Sequence, residues 1–404
     1  MTAGVAVGPS TRAPALAWQA SGIGFLANTA DNVVLLLVLW IAGPQGWTGI
    51  QTALIVLVLR VPALFFGGVV GRAVDGWGAR RVARIDLVVR SASLLFLLVV
   101  GLLAGGLPLP AVLVAGGLSA AVSPATYAAI RWSVPRLARS EQLGRANAVV
   151  GLGEQLPLLV GGALIGPTLA WLGPVVSVAV PAVMLLIATV MARRLPTAGA
   201  TAIADDTITG PSPGDRPQLR VPRRVTALIL LSTAYYLAYG PYETAMPGFI
   251  RDRLHANPNA YSLVWAAFGL GAVAGLAAAP TLARSRPGLV NALGATLWGL
   301  LMLPVAVVGT VPAATGLFLL GGIVWGPYTT VEAGAIQRWT PPSRHGAVFG
   351  RQRALLGTAA PTGAAIGAVA VQYTAAHVVL AISAAMCALA GLLAVAHPAL
   401  RRAG

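Results

Sequence analysis

The 404-residue sequence contains no lysine, and only 9% of its residues are charged. A soluble globular chain carries about 25% charged residues, so this chain has too little polar surface for water to surround it. The single cysteine, Cys387, excludes a disulfide framework within the chain and argues against a metal–thiolate site. Without lysine there is no Gly-x-x-x-x-Gly-Lys nucleotide-binding loop, and no His-Glu-x-x-His motif is present. We therefore expect neither a cofactor nor a metal, and we do not expect an enzyme.

Long apolar runs are what the sequence has instead, since 57% of the residues are hydrophobic and the mean hydropathy is +0.80. The runs are about 20 residues long or slightly longer, which is the length that a helix needs to cross a bilayer. Membrane-spanning β-strands are about half as long, so the runs predict an all-α membrane protein. We place about twelve transmembrane helices, at 15–42, 48–70, 83–105, 111–130, 145–171, 174–192, 225–250, 260–283, 288–308, 312–336, 347–372 and 375–396.

The short gaps between these runs alternate in charge. Twenty of the 27 arginines lie in the terminal segments or in alternate gaps, and only Arg251 and Arg253 fall clearly on the opposite side. By the positive-inside rule the arginine-rich side is cytoplasmic, so both termini are predicted to lie there in a multi-pass protein of the inner (plasma) membrane. The net charge of +16 does not indicate nucleic-acid binding, because the arginines cluster between apolar runs and not on one soluble face.

The chain divides into two parts that echo each other. Residues 193–224 are rich in Thr, Gly, Pro, Asp and Arg, which predicts a cytoplasmic linker between six-helix bundles at 1–192 and 225–404. Trp132 in IRWSVP and Trp339 in IQRWTPP follow the fourth and tenth predicted helices, 207 residues apart. Two parallel repeats joined by a cytoplasmic linker are typical of a rocker-type transporter.

A polar segment, GRAVDGWGARR at 71–81, separates the second and third predicted helices. Its glycines allow two helix ends to approach closely, and its arginines hold the turn in the cytoplasm. A turn that only sets the membrane topology is one interpretation. We also expect Asp75 either to cap a helix N-terminus or to pair with an arginine.

The same segment resembles the signature turn of the major facilitator superfamily, Gly-x-x-x-Asp-(Arg/Lys)-x-Gly-(Arg/Lys)-(Arg/Lys). Four residues match it in register: Gly71, Asp75, Gly78 and Arg80. Arg81 follows one place later, while Gly76 and Ala79 stand where the family has basic residues. In the family this turn is a cytoplasmic latch between the halves that favours the outward-facing state, so the resemblance implies a cytoplasmic gate here.

The resemblance extends along the chain to the drug- and siderophore-exporter branch of that superfamily. The stretches that carry it are 27–40, 58–75, 123–149 and 336–351. GGALIGP at 161–167 is similar to the Gly/Pro signature of antiporters on helix five. Many proton antiporters of the family carry an arginine within helix four, whereas residues 111–130 contain none, so we do not expect proton coupling by that route.

Asp31 lies near the middle of the first predicted helix, in the stretch LANTADN. Asn28 lies three residues before Asp31 and four before Asn32, so these side chains share a helix face. An ionisable residue costs about 2.5–3.5 kcal/mol at the middle of a membrane helix, which makes it a functional candidate. We expect contact with substrate or proton, and a hydrogen bond that packs two helices is the alternative.

Glu154 and Gln155 lie about a third of the way into the fifth predicted helix. A carboxylate at that depth is a candidate to carry a proton. A fixed ion pair with an arginine such as Arg60 or Arg90 is an equal alternative. Asp86 lies four residues before Arg90 on the third helix, which favours a local helical pair.

Glu243 and Tyr239 lie on the seventh predicted helix, in the stretch AYGPYETAMPGF. Prolines such as Pro241 can free backbone carbonyls for a ligand, and tyrosines suit an aromatic or cationic substrate. We favour a substrate-contacting role slightly over an interfacial tyrosine belt.

Two further charged residues interrupt apolar helices. Glu332, in the inner part of the tenth helix, is a candidate gate or salt-bridge partner. Arg60, in the second helix, either extends toward the membrane surface or neutralises a carboxylate.

These residues favour a secondary transporter that exports a small amphipathic organic compound, such as a drug, an antibiotic or a siderophore, by alternating access. Since there is no nucleotide-binding loop, the energy must come from a gradient, and we expect protons as the coupling ion. An importer of a small metabolite on the same fold and a non-transporting membrane sensor or scaffold remain alternatives. The expected partners are the substrate, protons and the lipid bilayer, with no nucleic acid and with the chain acting as a monomer.

Overall fold

The computed structural model describes residues 9–137, 140–195, 221–341 and 344–401, and in these ranges all regular secondary structure is helical. The all-α prediction is therefore confirmed. Each predicted membrane helix coincides with one helix or with two consecutive helices, because the apolar runs are long enough to satisfy their backbone internally.

The first six predicted helices begin close to where hydrophobicity places them. Two of them are broken where a proline starts a second helix, at Pro62 and Pro124, because proline lacks the N–H group that a helix interior uses for its hydrogen bonds but the first turn does not. They correspond to α1 (Pro9–Ile41), α2 and α3 (Gly49–Arg60 and Pro62–Trp77), α4 (Ala79–Ala104), α5 and α6 (Leu109–Val122 and Pro124–Leu137), α7 (Ser140–Val176) and α8 (Ala179–Met191).

Two of the last six predicted helices are also broken, each next to a proline, Pro280 or Pro327. The six correspond to α9 (Arg223–Gly248), α10 and α11 (Pro258–Leu276 and Ala279–Arg284), α12 (Pro287–Met302), α13 and α14 (Val311–Trp325 and Tyr328–Trp339), α15 (His345–Tyr373) and α16 (Ala376–Ala396), and a short α17 (Pro398–Arg401) follows them. The central part of the predicted linker, residues 196–220, lies outside the described residues.

Ten helical stretches in the described ranges are long and apolar enough to cross a membrane. The two predicted helices not among them are the sixth and the seventh. α8 has only 13 residues, and α9 carries Glu243 and several tyrosines, which lower its hydropathy. Large apolar side chains such as Leu103 (83% exposed) and Trp171 (84% exposed) project from the helices, as expected of surfaces that lipid covers.

Two sequence-based boundaries are wrong. α3 continues to Trp77 and α4 starts at Ala79, so the predicted turn at 71–81 shrinks to Gly78. Gly78 has φ 77°, a left-handed conformation that side chains disfavour, and this explains the glycine there. α6 also runs past residue 130 through Arg131, which the sequence analysis places in a cytoplasmic gap.

The helices form two compact units. Unit 1 comprises Met1–Val34, Phe65–Pro157 and Val175–Thr209, and unit 2 comprises Leu35–Leu64, Leu158–Pro174 and Gly210–Gly404. Unit 2 thus contains α2 and the predicted outer ends of α1 and α7 together with the C-terminal helices. The division into six-helix bundles at 1–192 and 225–404 stays a prediction.

Unit 2 is held together by close helix contacts at glycines. α10 packs on α13, where a Cβ atom at Gly271 or Gly275 would collide with the carbonyl oxygens of Leu319 and Ile323. α2 packs on α15, where Gly49 lies directly against the backbone of Ala368. Such close approach is available to helices only where the side chain is a hydrogen atom.

Candidate functional site

Unit 1 contains a buried arginine between two acids. The side chain of Arg90 is only 1% exposed, and its Nη2 group donates hydrogen bonds to Asp31 Oδ1 and, at 3.2 Å, to the carbonyl oxygen of Ala27. Its Nε atom lies 3.9 Å from Asp86 Oδ1. Asp86 Oδ2 accepts a hydrogen bond of 2.9 Å from the backbone N–H of Thr126. Arg90 therefore ties α1 to α4 as well as making the expected local pair.

The asparagines beside Asp31 make helix contacts. Asn28 Nδ2 donates to the carbonyl oxygen of Gly153 on α7 at 3.2 Å. Asn32 Nδ2 donates to the carbonyl oxygen of Asn28, one turn earlier on the same helix, at 2.9 Å. The Asn28 amide therefore ties α1 to α7, as the helix-packing interpretation expects, whereas Asn32 bonds within α1. Asp31 is held by an ion pair and is half exposed.

Glu154 forms an ion pair with a residue that the sequence analysis did not choose. One Nη2 group of Arg131 on α6 lies 2.7 Å and 2.8 Å from the two carboxylate oxygens of Glu154 on α7. The guanidinium also lies 5.5 Å from the ring centre of Tyr127. The predicted partners Arg60 and Arg90 are wrong, and the fourth membrane-crossing stretch, Leu109–Ser133, does contain an arginine. The side chain of Gln155 lies outside the described residues.

The segment that resembles the signature turn makes contacts within unit 1. Asp75 Oδ1 accepts a hydrogen bond of 3.1 Å from Trp132 Nε1, which is neither a helix cap nor an arginine pair. Arg80 Nε donates to the carbonyl oxygen of Leu195 at 2.8 Å. The Arg81 guanidinium lies 5.3 Å from the centre of a Trp77 ring. Gly71 lies inside α3. A latch between the predicted halves stays a prediction.

In unit 2 the interhelical ion pair joins α2 to α9. The Nη2 atom of Arg60 lies 3.1 Å from Glu243 Oε2 and 3.3 Å from Glu243 Oε1. Arg60 thus neutralises a carboxylate, one of its two expected roles. Tyr239, one turn before Glu243, is half-buried and lies in the electrostatic field of both residues.

Most of the α9 tyrosines pack on a tryptophan that sequence reasoning missed. Trp298 on α12 is 1% exposed, and the rings of Tyr235, Tyr239 and Tyr242 lie 5.3–5.7 Å from its ring. Tyr235 and Tyr242 are fully buried, so they are core residues. Tyr236 and Tyr239 are only half-buried and remain candidates for contact with a ligand.

Glu332 on α14 differs from the other intramembrane acids. It is 1% exposed, its Oε1 atom has no hydrogen-bond partner, and it makes no ion pair among the described residues. Ser232 and Gln352 are its polar neighbours. Ser232 is itself hydrogen-bonded to the hydroxyl group of Tyr328 at 3.1 Å. The expected salt bridge of Glu332 is therefore not seen in the part of the chain that the structure describes.

The arrangement supplies charge pairs that link helices. An acid and an arginine that face each other in an apolar bundle form a neutral unit. Protonation of the acid, or a competing charged ligand, removes the attraction and releases the arginine. Asp31–Arg90, Glu154–Arg131 and Glu243–Arg60 each have this character, and each joins two helices.

Comparison with known proteins identifies the family. The family model for the Major Facilitator Superfamily matches residues 20–331. The chain belongs to the major facilitator superfamily. It is therefore a multi-pass membrane transporter, as the sequence analysis expects, in a family whose members handle small molecules.

Curated relatives cover most of the chain. The "Multidrug efflux pump Tap" of Mycobacterium tuberculosis (strain ATCC 25618 / H37Rv) is 27% identical over 391 residues, 93% of this chain and 92% of that protein. The "Uncharacterized MFS-type transporter y4rN" of Sinorhizobium fredii is 26% identical over 294 residues, 70% of this chain and 71% of that protein. Both relatives carry names of transporters, and they match 93% and 70% of this chain.

Solved structures of the family share the fold. The nucleoside transporter NupG superposes with a TM-score of 0.72 at 12% identity, covering 94% of this chain and 98% of that one. A bacterial homologue of the iron transporter ferroportin, in the inward-facing state, gives a TM-score of 0.70 at 15% identity, with 94% and 98% covered. At these identities the likeness establishes the major facilitator fold alone.

Proposed function

We propose that this transporter couples proton movement to the export of small amphipathic organic compounds. The observation that carries the proposal is the set of interhelical acid–arginine pairs, Asp31–Arg90, Glu154–Arg131 and Glu243–Arg60. A proton that reaches one of these carboxylates removes its attraction for the arginine. The two helices that the pair joined can then shift, which links proton binding to a conformational change.

The substrate class follows from the aromatic side of the site. Tyr239 is half-buried beside the Arg60–Glu243 pair, and its ring packs 5.4 Å from that of Trp298. A flat ring with a hydroxyl group at its edge contacts apolar and cationic molecules equally well. The Tap relative, which is named a multidrug efflux pump, supports an exported amphipathic compound.

Alternating access gives the pathway its direction. Within unit 2, the predicted outer ends of α1, α2 and α7 pack with the C-terminal helices. We propose that this outer end closes when the carboxylates take up protons from outside and opens again after the protons leave to the cytoplasm, so that protons move opposite to the substrate. We also propose that the chain works as a monomer in a bacterial inner membrane with both termini in the cytoplasm. In that orientation the arginine-rich ends of the helices face the cytoplasm, where substrate enters.

Transport in everted membrane vesicles tests the proposal. With the cytoplasmic face outward, wild-type protein should accumulate a fluorescent amphipathic cation only while the vesicle lumen is acidic. Asp31→Asn combined with Glu154→Gln should abolish that accumulation. Asp252→Asn is the matched control, because it removes the partner of Arg251 from an exposed pair at the predicted outer side.

Three results would contradict the proposal. Unchanged gradient-driven transport in the Asp31→Asn, Glu154→Gln variant would overturn the proton assignment. Uptake that occurs only in right-side-out vesicles would indicate an importer. Absence of any transport, with no change in the drug tolerance of a sensitive host, would favour a sensor or scaffold.

A further inference from the structure

The groove where α3 meets α4 is basic at one end and apolar at the other. It encloses about 390 Å³ and lies within unit 1. Its walls are Trp77, Arg80, Arg81, Arg84, Ile85, Val88 and Val89. Three of these seven side chains are arginines and none is acidic, so the groove favours an anionic occupant.

The length of α4 and the position of its arginines place the basic end of the groove at the membrane surface. α4 has 26 residues, which corresponds to about 39 Å of helix. The hydrocarbon core of a bilayer is about 30 Å thick, so α4 is about six residues longer than the core requires. The arginines indicate which end extends, because Arg80, Arg81 and Arg84 lie in the first six residues of α4, on the side that the distribution of arginines predicts to be cytoplasmic.

The apolar end of the groove continues as an exposed stripe. Ile85 and Val88 are 44% and 48% exposed, and each lies four residues beyond an arginine of the groove. The stripe continues along the same helix through the exposed Ala92 and then, at three- and four-residue spacing, through Leu95, Phe96, Val99, Leu102 and Leu103. A ligand in the groove therefore has a charged group at the surface and an apolar tail along α4.

Contacts on the walls hold the arginines at the mouth of the groove. Arg80 is anchored by its 2.8 Å hydrogen bond to the carbonyl oxygen of Leu195. Arg81 lies 5.3 Å from the centre of a Trp77 ring, and tryptophan side chains favour the headgroup level of a bilayer. Arg84 is exposed one turn further along the same face.

We propose that this groove binds the phosphate group of an anionic phospholipid of the cytoplasmic leaflet, with an acyl chain along the α4 stripe. Guanidinium groups present paired N–H donors that match phosphate oxygens, and several arginines together favour an anionic headgroup over a zwitterionic one. This site is independent of the substrate pathway, so it stands whether or not the proposed export is confirmed.

Lipid retention by the purified full-length protein tests the site. The protein is reconstituted in nanodiscs of phosphatidylcholine with and without phosphatidylglycerol, and bound lipid is measured by native mass spectrometry together with the melting temperature. Wild type should retain phosphatidylglycerol in preference to phosphatidylcholine. Arg81→Gln with Arg84→Gln should weaken that retention about twenty-five-fold, since each arginine near an anionic surface contributes about fivefold.

The matched control removes the same charge from another exposed cytoplasmic site. Arg284 and Arg286 are exposed at the C-terminal end of α11, and their double substitution by glutamine should leave lipid retention unchanged. Melting temperatures in phosphatidylcholine alone establish that the variants are folded. Arg84→Gln alone, at an exposed position, should weaken retention of phosphatidylglycerol about fivefold. This single variant replaces the double variant in the test if the double variant does not fold.

Three outcomes would overturn the proposal. The first is equal retention of the two lipids by the wild type. The second is an equal loss in the Arg284→Gln, Arg286→Gln control, which would indicate a general effect of surface charge. The third is that inorganic phosphate, added in phosphatidylcholine nanodiscs, raises the melting temperature as much as phosphatidylglycerol does. That result would indicate a soluble anion and not a lipid.

Discussion

The two units of this transporter differ in the side chains that surround their buried polar groups. In unit 1, Asp31 and Asp86 flank Arg90, and Glu154 is held by Arg131. In unit 2, aromatic rings packed mostly edge to face dominate, since every ring–ring contact among the described residues lies there. Unit 2 also contains Glu332, a buried acid that makes no ion pair in the part of the chain that the structure describes.

The contrast indicates a division of roles between the units. Charge pairs respond to protons, whereas aromatic surfaces respond to the shape and apolar area of a ligand. We therefore expect substitutions in the charge pairs of unit 1 to alter coupling and stability. Substitutions on the half-buried rings of unit 2 should alter apparent affinity for substrate.

The largest expected effect is that of Arg90→Met. Loss of the guanidinium leaves Asp86 buried without a nearby cation and leaves Asp31 without its ion pair. Removing one partner of a buried ion pair costs about 3–5 kcal/mol of unfolding free energy. Chemical unfolding in detergent should show this loss of stability. Arg60→Met, which breaks the more exposed pair of unit 2, is the comparison and should cost less. Equal stability of the Arg90 variant and wild type would contradict the importance of the buried cluster.

Tyr239→Ala should raise the KM for substrate about tenfold, an effect of about 1.4 kcal/mol, with little change in the maximal rate. Tyr239→Phe keeps the ring and should stay close to wild type. Tyr127→Ala in unit 1 is the matched control, because that tyrosine lies beside Arg131 and not in the ring cluster. Transport kinetics in vesicles give the KM of each variant. An equal rise in KM for both alanine variants would contradict a specific role of the unit 2 rings in substrate binding.

Glu154→Gln should lower the unfolding free energy by about 1 kcal/mol, because the pair with Arg131 is partly exposed. Its effect on transport is larger, since the substituted residue can no longer gain or lose a proton. Gradient-driven transport should be lost while downhill exchange of substrate persists. Retention of full gradient-driven transport would remove Glu154 from the coupling mechanism.

The smallest expected effect on stability is that of Glu332→Gln. Among the described residues no arginine loses a partner, and an amide removes the cost of a buried carboxylate that has no ion pair there. The unfolding free energy should therefore fall by less than about 1 kcal/mol or rise. Chemical unfolding beside Glu154→Gln gives the comparison directly. A loss larger than that of Glu154→Gln would show that Glu332 has a stabilising partner.

Much of the fold was predictable because helix formation in a membrane depends on local sequence alone. Apolar length located the helices, and the GRAVDGWGARR segment pointed to the family. The position of Arg131 was not predictable, because hydrophobicity falls at Arg131 while the helix continues to Leu137. The boundary at residue 130 therefore hid the arginine of the fourth helix.

The pairings of the candidate site needed the structure. Arg60 and Glu243 are separated by 183 residues in sequence. A single sequence gives no information on how close the two side chains lie in the folded protein. The role of Trp298 was also not predictable, because the sequence does not distinguish it from the other apolar residues of its helix. Only the structure shows that tyrosines of α9 pack around it. Local chemistry identified the charged candidates, and only tertiary packing assigned their partners.

Proton movement during transport tests the central claim most directly. Proteoliposomes that contain a pH-sensitive dye report proton flux when substrate is added, for wild type and for Asp31→Asn with Glu154→Gln. The wild type should move protons opposite to the substrate, and the variant should move substrate downhill without protons. Proton flux in the variant at the wild-type ratio to substrate would contradict the account.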